Sequence, residues 1–136
     1  MDHRIVDLHV HSTESDGTLT PEDLVAEAKK VGLAAFALTD HDTCQGVGKA
    51  MPCAASAGIE LIPGIELSTD YHGKEVHIVG LYIDIENEQL LKKTAEYRKC
   101  RSERNALMVE ALQKEGLSIT MEELVAENPD CVITRA

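Results

Sequence analysis

Apolar and polar residues alternate from Val6 to His11, which predicts a β-strand whose polar face carries Asp7, His9 and His11. A polar turn ending in Asp16-Gly17 leads into Thr20-Pro21-Glu22-Asp23. There a capping threonine, a proline at the first helical position and two acids open a helix that Gly32 closes. The pattern then repeats. Residues 34–38 form a short apolar run expected to be a buried strand, residues 39–43 a polar loop, and the Ala-rich run to Ser56 a helix stopped by Gly58. Pro52 inside that run predicts a kink or a late helix start. A third strand over residues 59–67 is expected to be interrupted at Pro63-Gly64, and Tyr71-His72-Gly73 turns the chain into a fourth over residues 75–82. Tyr82 reads as strand packing. Strands alternating with helices define an α/β fold.

From Asn87 the pattern becomes a long polar helix reaching Glu115, with Gly116 as its stop. Thr120-x-x-Glu123 is then a capping box for a short helix ended by Asn128-Pro129. Residues 92–104 hold six bases and two acids, the one basic patch of the chain, and read as a solvated helix face rather than a substrate track.

Composition narrows the functional classes. With 136 residues, 43% of them hydrophobic and 27% charged, the chain resembles packed globular proteins rather than disordered ones. The formal charge of −11 argues against a broad basic face that neutralises duplex phosphates. An aromatic content of 3% is too low for a surface that stacks successive bases. Four cysteines without a C-x-x-C pair, behind no signal segment, oppose a disulfide framework or zinc finger and favour a reducing cytoplasm. The longest nearly apolar stretch, residues 31–38, is far shorter than the ~20 residues of a membrane span.

All six histidines fall within the first 77 residues. His9 and His11 end the first strand, Asp16 follows it, His41 follows the second, Glu66 ends the third and His77 lies in the fourth. Successive strands thus deliver ligand-type side chains to one end of a sheet, the end that forms the active face of parallel β/α architectures. A His-x-His pair on a strand can chelate one ion, and carboxylates such as Glu66 and Asp16 can bridge ions and offset their charge. Mixed imidazole and carboxylate sites suit Zn, Mn or Fe. Asp7 and Asp40 are expected to orient imidazoles from behind, and Asp42 to serve the turn. His3, ahead of the first strand, and His72, in a turn, are expected to stay out of the site.

The segments Asp7-Leu8-His9-Val10-His11-Ser12, Ser15-Asp16-Gly17-Thr18-Leu19-Thr20-Pro21, Ala37-Leu38-Thr39-Asp40-His41-Asp42-Thr43 and Gly58-Ile59-Glu60-Leu61-Ile62-Pro63-Gly64-Ile65-Glu66-Leu67-Ser68 closely resemble the PHP (polymerase and histidinol phosphatase) superfamily. Within it they are most similar to stand-alone members acting on nucleoside 3′,5′-bisphosphates and short RNA 5′ ends. The resemblance implies a distorted (β/α)7 barrel with two to three divalent ions at its mouth. His9 and His11 would hold one ion, Glu66 would bridge it to a second held also by His77, and Asp16 with His41 would hold a third. Glu66 and His41 would be the catalytic pair, in hydrolysis of phosphate mono- or diesters by a metal-activated hydroxide. Arg135, in a Thr-Arg segment like the family's, would clamp phosphate.

Family members run to roughly twice this length, and their later strands add further His, Cys and Asp-x-His ligands. The 136 residues are therefore expected to be the N-terminal part of a longer gene product. Residues 1–85 would be the first part of the barrel, 86–130 an incomplete helical insertion, and 131–136 a return toward the barrel. The alternatives are a non-catalytic metal-binding module, with strand edges covered by a partner or a second copy, a histidinol-phosphatase-type phosphatase, or an amidohydrolase-like enzyme sharing the H-x-H feature.

Overall fold

The computed structural model describes residues 5–127. The element order is β1 (Val6–Val10), α1 (Pro21–Val31), β2 (Ala35–Leu38), α2 (Gln45–Ala57), β3 (Glu60–Tyr71), β4 (Lys74–Leu81), α3 (Glu88–Lys114) and α4 (Met121–Glu127). One four-stranded sheet has the order β1-β2-β3-β4. The first three strands run parallel, and β4 folds back antiparallel on β3.

The helix boundaries follow the capping chemistry. Thr20 accepts the Asp23 N–H ahead of α1, Asn87 accepts the Leu90 N–H ahead of α3, and Gly32 and Gly58 end α1 and α2 in the left-handed conformation. The capping box before α4 is complete: Glu123 N–H donates to Thr20's counterpart, Thr120 Oγ1, while the Thr120 N–H donates to Glu123 Oε2. Asn128-Pro129, the expected end of that helix, lies outside the described residues.

The strand β2 is buried along its whole length, and its alternation sorts two cores. Phe36 and Leu38 face α1 and α2, packing with Val25, Ala28, Val47, Ala50 and Ala54. Ala35 and Ala37 face the other side with Ile62 and the half-buried Leu81. Helices therefore cover one face of the sheet, and small side chains line the other.

Three expectations need correcting. The helix α2 starts at Gln45, well before Pro52, so the proline sits inside it rather than delaying it. The strand β3 is not interrupted at Pro63-Gly64, because these residues lie where it changes partners. Pro63 is the last residue paired with β2, and Gly64 the first paired with β4. Proline at the end of one ladder costs little hydrogen bonding. Gly64 is needed there for room, since a Cβ would stand 2.7 Å from Thr39 Cγ2 and 3.0 Å from the Leu38 carbonyl oxygen. Finally, Tyr82 is no packing residue. It lies beyond β4, 72% exposed with φ at +56°, and this left-handed step lets Ile83 donate to the Pro63 carbonyl and pack with Ile85 against the first core.

Gly64→Ala is expected to destabilise the fold by about 1–3 kcal/mol through overpacking. Gly48→Ala, at an exposed position in α2 with open space around it, should stabilise by about 0.5–1 kcal/mol. Urea midpoints of the two variants check both signs.

Candidate metal centre

The parallel strands and the loops after them bring five of the expected residues together, His9, His11, Asp16, His41 and Glu66. The pairing of β2 with β3 is prolonged past Leu38: Glu66 N–H donates to the Asp40 carbonyl, Asp42 N–H to the Glu66 carbonyl, and His41 bridges Glu66. This backbone zipper sets His41 beside Glu66. His77 arrives from the antiparallel strand, where it pairs with Ser68.

Glu66, only 4% exposed, is the hub. Its Oε2 lies 2.8 Å from His9 Nε2, 2.9 Å from His11 Nε2 and 3.6 Å from His41 Nδ1, while Oε1 lies 2.8 Å from His77 Nδ1. Asp16 is the second carboxylate, 2.7 Å from His11 Nδ1 and 3.4 Å from His41 Nε2. The rings stand edge to face, with His11 and His41 centroids 4.6 Å apart and His41 and His77 4.9 Å apart.

The electrostatics follow from this crowding. Burial by itself would raise the Glu66 carboxyl, but the hydrogen bond with His9 and the His41, His77 and His11 rings hold it below its ordinary value. Asp16 behaves alike: burial raises it, and His11, His41 and Ser15 more than reverse that. Burial pushes His41 down, against the upward pull of Glu66 and Asp16. His77 is raised, first by its hydrogen bond to Glu75 and also by Glu66.

The donor set fits divalent cations. Three groups of ligand atoms, His9/His11/Glu66, His11/Asp16/His41 and His41/Glu66/His77, each lie within 4.8 Å of one another. His41 Nδ1 is buried without a hydrogen-bond partner, aimed at Glu66 from beyond bonding distance. The two nitrogens of His11 lie 2.7 Å from Asp16 Oδ1 and 2.9 Å from Glu66 Oε2, so one ring meets both carboxylates. Imidazole nitrogens with two carboxylates are a donor set that Zn, Mn and Fe accept.

Asp7 and Asp40 have other partners than imidazoles. In β1 one extra residue is inserted between Asp7 and Val10, which breaks the strict alternation the sequence suggests. Asp7 is exposed, and its Oδ1 accepts the His9 backbone N–H. Asp40 is buried and organises the loop after β1: Oδ1 accepts from the Ser12 N–H and Ser15 Oγ, and Oδ2 from Ser12 Oγ. That loop closes tightly on itself, with Gly17 N–H donating to Ser12 O, and a Cβ at Gly17 would fall 2.3 Å from the His11 carbonyl oxygen. Asp40 thus places Asp16 through the serines rather than through a ring.

Asp42 does more than serve a turn. It is buried with φ at +54°; its Oδ1 accepts the Ser68 N–H, and its Oδ2 lies 2.6 Å from Arg101 Nη2. Arg101 also donates to Ser68 Oγ at 2.7 Å, and Arg98 approaches the Asp42 carbonyl at 3.4 Å. The basic stretch of α3 is therefore not simply a solvated face. Asp42, Ser68, Tyr97, Cys100, Arg101 and Arg104 line a cleft of about 170 Å³ next to His41. Arg98, Arg101 and Arg104 share one helix face by their spacing of three, but only the docking of α3 shows where that face points. His72 sits in the β3–β4 hairpin, stacked edgewise on Tyr71 and away from the cluster. His3 and Arg135 lie outside the described residues.

A half-barrel sheet that gathers histidines and carboxylates at the C-terminal ends of its parallel strands, with His77 added from β4, defines a class of β/α proteins with a candidate metal site at that end. The PHP domain profile matches residues 7–126, and the chain belongs to that family. It is 40% identical over 111 residues to the 5′-3′ exoribonuclease of Haemophilus influenzae, covering 82% of this chain and 40% of that one. It is 39% identical over 113 residues to the 3′,5′-nucleoside bisphosphate phosphatase of Chromobacterium violaceum, covering 83% and 40%. A solved Bifidobacterium adolescentis protein, to which a metal-dependent phosphoesterase activity is attributed, superposes with a TM-score of 0.83 at 34% identity, over 90% of this chain and 43% of that one. The chain spans about 40% of the length of these relatives.

Asp40→Ala is expected to lower stability by about 2–3 kcal/mol, because a buried N–H and two hydroxyls lose their acceptor. Asp7→Ala, at an exposed carboxylate, should stay within about 0.5 kcal/mol. Chemical denaturation separates the two.

Proposed function

We propose that the protein to which this chain belongs is a metal-dependent phosphoesterase that hydrolyses phosphate mono- or diesters of nucleotides or short RNA. The observation that carries this reading is the convergence of four imidazoles on the nearly buried Glu66 carboxylate, with Asp16 beside them. His9, His11, Asp16, His41, Glu66 and His77 hold two to three divalent ions of the Mn, Zn or Fe type, with Glu66 shared between two groups of donors. Such ions supply a nucleophile from water and neutralise developing charge on the phosphoryl oxygens.

The chain's own side chains do the rest. Glu66 and His41 belong to more than one donor group, so a change at either disturbs neighbouring positions together. Asp40 keeps Asp16 in place through Ser12 and Ser15. Arg101 and Arg104 line the cleft beside His41 and give an acidic chain a local place for an anion. Arg135 is assigned a phosphate contact on its motif. Relatives of this chain are named for RNA, nucleoside bisphosphate and phosphoribosyl cyclic phosphate substrates, which supports a phosphorylated, nucleotide-like ligand. No helix among the described residues is long and apolar enough to cross a membrane. The thiols of Cys44, Cys53 and Cys100 are unpaired with one another, as suits a reducing compartment such as the cytoplasm.

The test is phosphate release from a nucleoside 3′,5′-bisphosphate, and mononucleotide release from short RNA, by the whole protein loaded with Mn. Turnover should appear, and Glu66→Gln should reduce it by more than about 100-fold, beyond the effect of changes in the groups that merely support ligands. A fully metallated protein inert to both substrates, or unaffected by Glu66→Gln, refutes the reading. Metal titration by calorimetry gives a second check. Protons compete with ions for the ligand imidazoles, and His77 is held above its ordinary value by Glu75 and Glu66, so apparent affinity should fall as the pH is lowered, with proton release on binding.

A further inference from the structure

Helix α3 runs for 27 residues yet buries only Thr94, Asn105 and Val109. Asn105 and Val109 line the apolar groove against α4, with Met108, Leu112, Ile119 and Leu124. What ties the middle of α3 to the strands is polar. Arg101 reaches both Asp42 Oδ2 and Ser68 Oγ, and Arg98 approaches the Asp42 carbonyl. The Asp42 side chain is 2% exposed and that of Arg101 12%, so the pair is shielded from solvent and its geometry is bidirectional: Asp42 Oδ1 takes the Ser68 N–H while Oδ2 takes Arg101. Asp42 follows His41 directly, and its own N–H is bonded to the Glu66 carbonyl.

We infer that Asp42 is a positioning residue: through Arg101 it anchors α3 against the strand ends and keeps the arginine-lined cleft in register with the histidine and carboxylate cluster. The anchor stands on geometry alone, whereas its consequence for substrate binding rests on the phosphoesterase reading. Asp42 touches none of the proposed ligand atoms. Its loss should therefore loosen α3 and misplace Arg104, Tyr97 and Cys100, while leaving the metal donors assembled.

A nitroxide on Cys100, exposed on α3 and lining the cleft, reads the anchor directly in a Cys53→Ser/Cys131→Ser background; Cys44 is buried. Asp42→Asn and Arg101→Gln should each increase label mobility, and the double variant should resemble either single, as for partners in one interaction. In the Mn-loaded protein each single variant should raise KM for a nucleoside 3′,5′-bisphosphate by at least about tenfold, with kcat and metal stoichiometry far less affected, as expected for misplaced binding groups. Unchanged label mobility in a natively folded Asp42→Asn or Arg101→Gln protein overturns the anchor, as does strict additivity of the two. Loss of metal together with kcat would also overturn it, by making Asp42 part of the metal shell. If Asp42→Asn does not fold, Arg101→Gln decides alone. Increased mobility without turnover in any form upholds the anchor and refutes the phosphoesterase reading instead.

Discussion

A nearly buried carboxylate beneath four imidazoles is a costly arrangement unless positive charge compensates it, and the surrounding structure is organised to supply that compensation. Glu66 is 4% exposed, and His9, His11, His41 and His77 all approach its two oxygens. The cluster has Asp16 as a second carboxylate, so protons on the rings or divalent cations must balance the pair. Either way, the imidazoles have to be delivered from three separate stretches of chain, the end of β1, the loop after β2 and β4. That requirement explains why the strand ends, the loop after β1 and the hairpin all meet at this point.

The supporting contacts are polar and fully used. Asp40 collects one backbone N–H and two serine hydroxyls, and Asp42 collects one backbone N–H and one guanidinium. These two aspartates flank His41 in sequence and point their carboxylates to opposite neighbours, one to the β1 loop and one to β3 and α3. His41 is held between them by a backbone extension of the β2–β3 pairing. A histidine so fixed can approach both Asp16 and Glu66 without a large loss of side-chain freedom on binding an ion. The apolar core contributes indirectly, by clamping β2 between helices and the small-residue face.

Much of the fold was legible in the chain because its signals are local. Capping residues, helix-stopping glycines, the alternation of β1 and the apolar run of β2 depend on neighbours within a few residues. The six ligand-type residues were also legible, since their recurrence after successive apolar runs needs no knowledge of contacts. The discrepancies share a different origin. Pro63-Gly64 reads as a break until β3 is seen to exchange one partner for another there, and Asp7 reads as a supporting group until the inserted residue in β1 breaks the alternation. Tyr82 reads as strand until its left-handed backbone turns it outward.

By itself, the sequence determined the α/β order of elements, the residues able to hold cations and the family whose motifs they form. These properties reside in side-chain chemistry and short-range spacing. The tertiary structure alone decided that Glu66 is the shared centre, that Asp40 works through Ser12 and Ser15, and that Asp42 meets Arg101, 59 residues away in the chain. Pairings over such separations depend on how the sheet curls and where α3 docks. The basic stretch of α3 shows the difference most clearly: its charge was evident from composition, while the direction it faces was set by one buried aspartate.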